Sequence, residues 1–214
     1  MNIIYLLFHG LSPYSGISKK ILYQVKGLEA CGHQVSLCTY CIADNSHRVR
    51  MINGEIIADY GTGKLAAARK RVSYHCIYHY AVAHRVELIY VRSFHNANPF
   101  TIRLFSKLRK AGIKIAMEIP TYPYDSEYAG FPLVTRLGIQ VDKVFRKTLA
   151  KHVNAIVTFS DYHCIFGQRT IQISNGVDFD SIPLKKTVSK NTSVIHLLGV
   201  AEVHYWHGYD RLID

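Results

Sequence analysis

MNIIYLLFHGLSPYSGISKKILYQVKGLEACGHQVSLCTY, residues 1–40, is the stretch whose reading decides the fold. Ile3 to Phe8 form a continuous apolar run, the pattern of a strand covered on both faces. His9-Gly10-Leu11-Ser12-Pro13-Tyr14-Ser15-Gly16 then reads as a loop that opens a helix. Ile17, Ile21, Val25 and Leu28 recur at about 3.6 residues and so share one helical face, and Gly32 stands where a left-handed C-terminal cap is needed. Val35 to Tyr40 supply the next strand.

The same alternation continues outward. Ile52 to Tyr60 hold a short strand or hairpin, and Lys64 to His84 read as one long helix through Leu65, Ala68, Val72 and Cys76. Glu87 to Val91 form a strand. Asn98-Pro99 is a good helix start, a side-chain cap followed by proline in the first turn, and Leu104 and Leu108 carry the inward face to Gly112. Ile113 to Met117 return as a strand. Leu133, Leu137, Val141, Val144 and Leu149 mark the inward face of another helix, followed by strands at Ala155 to Phe159 and Thr170 to Ile173. Strands this apolar, alternating with helices, predict an α/β fold with a Rossmann-like, doubly wound and mostly parallel sheet.

Asp180 to Thr192 is more polar and contains Pro183, Lys185, Lys186 and Lys190, as a linker does. Beyond it, Val194 to Val200 read as a fresh strand and Trp206 to Ile213 as a loop entering a helix. A strand and half a helix bury no core of their own. The expected organisation is a domain over 1–178, a linker over 179–192 and the beginning of a second domain over 193–214.

The totals agree with one domain and a fragment: 214 residues, 49% hydrophobic and 19% charged. The first apolar run has no basic segment before it and is too short for a signal peptide or a membrane span, so it reads as the first strand of a cytoplasmic protein. Five cysteines, an odd number without a disulfide spacing, fit a reducing compartment. A net charge of +11 favours nucleic acid, anionic lipid or phosphorylated ligands as partners.

In an open parallel sheet, ligands sit beyond the carboxyl ends of the strands. The polar residues following each apolar run therefore become candidates that share one rim: His9-Gly10, Arg92-Ser93, Glu118 with Thr121-Tyr122, Ser160-Asp161, and Ser174-Asn175-Gly176. Ser15 and Gly16 either offer backbone N–H groups to a phosphate or simply cap their helix. Glu118, Tyr122, Asp125 and Glu127 suit polyol recognition by hydrogen bonds and ring stacking; the alternative is a solvated turn in which Glu118 pairs with Arg92. No GxGxxG or GxxxxGK[ST] motif occurs, which removes the main support for a dinucleotide oxidoreductase or a P-loop enzyme. Cys38-x-x-Cys41 lacks a second ligand pair, and His75 and His79 lack a third ligand, so no metal site is expected. Arg136, Lys143, Lys147 and Lys151 form a basic helix face opposite Leu137, Val141 and Val144; it either docks on anionic lipid or is merely solvated.

Several segments resemble the family-4 glycosyltransferases of GT-B fold. Gly27 to Val35 looks like their "L...GH.V" junction, Ala155 to Ser160 resembles their "a.ivt.S" strand, and Ile173-Ser174-Asn175-Gly176-Val177-Asp178 resembles the "I.NGVD" segment that closes the acceptor domain. Arg92 and the Glu118-x-Pro120 loop are similar to the middle strands of polysaccharide-type members, and Trp206 to Ile213 is similar to the "KG.d.li" entry of the donor domain. The order of the segments along the chain carries the resemblance more than any one of them.

It implies transfer of a hexosyl group, usually with retention, from a nucleotide-sugar donor to a glycan or lipid-linked acceptor. No metal or other cofactor and no nucleic acid are expected, and the basic helix faces make an anionic membrane surface at the cytoplasmic face a further expected partner. On this resemblance Ser15 and Gly16 lie near the donor phosphates and Glu118 serves at the reacting sugar. His9, Arg92, Tyr122, Asp125, Glu127, Ser160, Asn175 and Gly176 line the acceptor side or the cleft. Serine stands before Gly16 where the family commonly has a second glycine, and the acidic ExxxxxxxE segment of the donor domain does not occur, so the chain alone is expected to be inactive. A noncatalytic basic Rossmann-like module for nucleic acid or another polyanion is the alternative, and a sugar-nucleotide epimerase a third reading.

Overall fold

β1, Asn2–Leu6, runs through the middle of the protein with four of its five residues buried. A computed structural model describes residues 1–93, 95–125, 133–183 and 211. By chain contacts it divides into Met1–Asp178 and Phe179–Asp214; of the second unit only residues 179–183 and 211 are described, with a 3-10 turn at Phe179–Ser181. The expected strand at Val194 to Val200, the loop and helix entry from Trp206 and most of the expected linker lie outside the described residues.

The first unit is an α/β structure. After β1 come α1 (Gly16–Ala30), β2 (Gln34–Ile42), β3 (Arg48–Ile52), β4 (Glu55–Asp59), α2 (Gly63–Val72), α3 (His75–Ala83), β5 (Leu88–Arg92), α4 (Pro99–Lys110), β6 (Lys114–Ile119), α5 (Leu133–Ala150), β7 (Ala155–Thr158), β8 (Cys164–Ile165) and β9 (Gln168–Gln172). The nine strands form one mixed sheet in the order β4-β3-β2-β1-β5-β6-β7-β9-β8. Pairings from β2 through β9 are parallel; β3 and β4 on one side and β8 on the other are antiparallel additions. The chain leaves β1 for β2 on one side and returns to β5 on the other, so strand order reverses between β1 and β5. In such sheets that crevice is where ligands bind.

Strand alternation divides the interior into two layers. Ile4, Leu6, Ile89, Val91, Ile115 and Met117 face Ile77 and Ala81 of α3, Leu104, Phe105 and Leu108 of α4, and Leu149 of α5. Tyr5 and Leu7 point the other way, toward Ile21, Val25 and Leu28 of α1, with Tyr90 beside them. Burying these side chains, more than a dozen aliphatic ones on the α3–α5 face and Tyr5, Leu7 and Ile21 on the α1 face, at roughly 1.5–3 kcal/mol for each large one, is what holds the layers together.

Three local expectations are corrected. The strand or hairpin between Ile52 and Tyr60 is the second half of a hairpin already begun at Arg48, turning at Asn53-Gly54, both at positive φ (50° and 91°); Asn-Gly is the favoured dipeptide for that turn. The long helix over Lys64 to His84 is two helices. The break occurs at Ser73-Tyr74, where the Ser73 carbonyl accepts from the Tyr60 hydroxyl at 3.2 Å and the Tyr74 ring is buried edge-on to Phe8. In α5 the face assignment is corrected at four of its five positions: Leu133, Leu137, Val141 and Val144 are exposed, while Leu149 is buried as expected, together with Ile139, Asp142 and Ala150. Asp142 sets that rotation, because its carboxylate accepts from the Ala97 amide at 3.0 Å and the Tyr124 hydroxyl at 2.9 Å. A buried carboxylate needs such donors, and turning it outward would strand both.

Candidate functional site

At the β1/β5 crevice lies a pocket of about 790 Å³. β1 delivers its first wall. Arg50 of β3, a fully buried guanidinium, donates to the Leu7 carbonyl at 2.9 Å and fixes where the strand ends. Gly10 comes next, and a Cβ there would meet the Tyr40 carbonyl at 2.9 Å, so only glycine lets the loop pass so close to β2. The loop is then laced to the start of α1: Ser12 donates its amide to Ser18 Oγ at 2.9 Å, and Ser15 caps the helix by accepting from the Ser18 amide. The amides of Gly16 and Ile17 have no partner among the described residues, and a Cβ on Gly16 would meet only open space. Those N–H groups, at the positive end of a 15-residue helix, favour an anion.

Side-chain charge at the pocket has the same sign. Lys20, one turn into α1, and Arg92, at the end of β5, both line it. Behind them stands Glu118 of β6, with no solvent exposure and outside the pocket lining. Its carboxylate accepts from the Tyr90 hydroxyl at 2.7 Å, from Gln24 Nε2 at 2.9 Å and from the Arg92 guanidinium, and Lys20 Nζ is 3.9 Å away. Tyr5 donates to Gln24 Oε1 at 2.6 Å, which turns the amide nitrogen toward the carboxylate. One carboxylate against two cations leaves a net positive charge facing the pocket. Burial, then the Glu118 charge, raises the Tyr5 and Tyr90 phenols, so both remain hydrogen-bond donors. Lys20 lies 3.3 Å above the Phe159 ring, and burial lowers its pKa to about 8, against the opposing pull of Glu118.

His9 and His95 complete the near side of the pocket. Burial is the main reason both have pKa values below the ordinary histidine value. His9 Nδ1 lies 2.7 Å from the Gly10 carbonyl. His95 sits at φ 46°, a left-handed conformation uncommon outside glycine, with its ring 4.6 Å from that of Tyr124. Thr121, Tyr124, Asn175 and Gly176 supply the remaining polar wall.

Of the residues expected from sequence, His9, Ser15, Gly16, Arg92, Asn175 and Gly176 come together here. Glu118 is one layer back and acts on the pocket only through Lys20 and Arg92. Tyr122 packs edge-on against Tyr162 and Phe166. Asp125 is held by Arg146 at 2.7 and 3.2 Å and by Lys143 at 3.5 Å, and the Arg146 hydrogen bonds keep its carboxyl below the usual range. Ser160 Oγ is 2.9 Å from Thr158 Oγ1. None of these three lines the pocket, and Glu127 lies outside the described residues. Lys20 and His95 are not among the residues expected from sequence. Lys20 sits four residues after Gly16, one helical turn on, and that spacing is the available signal.

Among the described residues no group of three or more His, Cys, Asp or Glu side chains could hold a metal ion. The Cys38 thiol is buried and pushed up to about 11 by that burial, and His75 and His79 approach each other at 3.3 Å. No described helix is long and apolar enough to cross a membrane.

Fold and site together define an α/β protein with a nine-stranded, mostly parallel mixed sheet and a positively charged pocket at its switch point. In comparisons with known proteins, no family model, curated protein or solved structure matches the chain.

Proposed function

We propose that this chain is the acceptor-side domain of a GT-B glycosyltransferase that moves a hexosyl group from a nucleotide-sugar to a glycan or lipid-linked acceptor. The sequence resemblance supplies the reaction class. The observation that carries the reading is the convergence, in one pocket, of the open α1 N-terminus with Lys20 and Arg92. A diphosphate is the ligand such a set suits, because oriented amides and a partly desolvated ammonium interact with an anion far more strongly than water-exposed charges do.

In this reading the α1 amides and Lys20 hold the diphosphate and stabilise the charge that grows on it as the glycosidic bond breaks. Thr121 and Asn175, which line the pocket, hydrogen-bond sugar hydroxyls in this reading. His9 and His95, whose burial disfavours the charged ring, can pass a proton from an acceptor hydroxyl. Glu118 is a positioning residue that fixes both cations rather than a group touching the sugar.

Isothermal titration with a panel of nucleotide-sugars, and with uridine diphosphate alone, tests this. Binding of uridine diphosphate through its diphosphate, weakened about tenfold or more by Lys20→Met, is the expected result, with selection among donor sugars left to the donor domain. No binding of any nucleotide, or binding indifferent to Lys20→Met, overturns it.

A further inference from the structure

The outward face of α5 is apolar where a solvated helix is normally polar. Leu133, Leu137, Val141 and Val144 are exposed at 69, 57, 45 and 71%. At 100° per residue they fall within an arc of about 80° and extend about 16 Å along the axis. Arg136, Gln140 and Lys147 are exposed along one edge of this stripe, and Lys151 is exposed just past its end. Among the described residues α5 places no acid on this face: Asp142, the sole carboxylate of α5, is buried against Ala97 and Tyr124. Of the neighbouring carboxylates, Asp125 is engaged by Arg146 and by Lys143.

From this geometry we infer that the outer face of α5 docks on an anionic lipid bilayer, its leucine and valine side chains entering the headgroup boundary while Arg136, Lys147 and Lys151 meet the lipid phosphates. A stripe of large aliphatic side chains flanked by cations is the composition of a helix that lies in a membrane interface. An acidic protein surface without an apolar centre would satisfy the cations but leave the four aliphatic side chains uncovered. The bilayer satisfies both, and the chain's +11 charge attracts it from a distance. Because β6 and β7 are parallel, α5 must run back antiparallel to them, so its Leu133 end lies at the carboxyl rim of the sheet, where the pocket opens. The inference stands whether or not the pocket transfers sugar.

The test is flotation of the full chain with vesicles of phosphatidylcholine, with and without phosphatidylglycerol. Flotation only with the anionic vesicles is expected. Leu137→Ser/Val144→Ser, at two solvent-exposed positions, keeps the melting temperature and lowers vesicle affinity at least tenfold for the pair. Arg136→Gln/Lys147→Gln lowers it roughly 25-fold, about fivefold per charge. Leu65→Ser, an equally exposed leucine on α2, leaves it unchanged. The inference fails if anionic vesicles do not float the chain, if the α5 variants bind as well as the parent, if Leu65→Ser is the substitution that abolishes binding, or if the chain is a dimer in sedimentation that Leu137→Ser/Val144→Ser dissociates.

Discussion

Glu118→Gln keeps the shape of the buried side chain and removes its charge, and the neighbours set the size of the effect. The carboxylate takes hydrogen bonds from Tyr90, Gln24 and Arg92 and faces Lys20 at 3.9 Å. An amide offers one oxygen to these donors and turns its own N–H groups toward at least one of them. Arg92, only 6% exposed, loses its counter-charge while remaining buried. Removing one partner of a buried pair costs about 3–5 kcal/mol in comparable cases. Gln retains one acceptor, so about 3 kcal/mol is expected here. For a unit spanning Met1–Asp178, that is a drop of about 6–12 °C in melting temperature. Thermal melts monitored by circular dichroism, with urea titration at fixed pH, measure it. Adding Arg92→Met to Glu118→Gln should recover part of the loss, since the stranded cation is then gone. A loss under about 1 kcal/mol, or a double variant as unstable as the sum of the singles, would refute the claim that this network is desolvated and mutually compensating.

The pocket wall supports two more predictions. Lys20 has its pKa lowered to about 8, so the ammonium that attracts an anion is present below that pH and lost above it. The affinity for uridine diphosphate, whose last phosphate proton is gone by about pH 7, should therefore fall roughly tenfold between about pH 7 and pH 9, and the slope should vanish in Lys20→Met; calorimetry at several pH values checks both. Gly10→Ala places a methyl group 2.9 Å from the Tyr40 carbonyl, a backbone atom that cannot turn away, so about 1–3 kcal/mol of stability should be lost in urea titration, with weakened ligand binding.

How much of the fold can be read from the chain depends on whether the deciding partners are near in sequence. β1, the loop to Gly16 and α1 follow from apolar runs, a serine cap and Gly32, all local signals, and the structure has them at the expected places. The rim residues are legible because parallel strands put their carboxyl ends on one side, which is how His9, Arg92 and Asn175 meet. The rotation of α5 is not legible, because counting its leucines and valines ignores the one polar side chain with distant donors: Tyr124 and Ala97 are 18 and 45 positions away from Asp142. The break between α2 and α3 has the same origin, a tyrosine drawn into the core against Phe8. Glu118 stands out as a candidate, but its depth behind the pocket does not. It lies on the strand face covered by α1, and its contact with Gln24 spans 94 positions, beyond the reach of any periodicity.

The two ends of the sheet have a bearing on solubility. Edge strands expose unpaired N–H and C=O groups that invite other chains to add on, and long, flat, apolar edges are the route to aggregates. Here β8 has only two residues, too few to template a partner. β4, at the opposite end, begins and finishes with Glu55 and Asp59, and its pairing with β3 shifts register between Arg50 and Met51, an irregularity of the kind that twists an edge away from a second copy. In a chain this rich in aliphatic strands, the shortness of β8 and the charged, irregular β4 each limit growth of the sheet by strand addition.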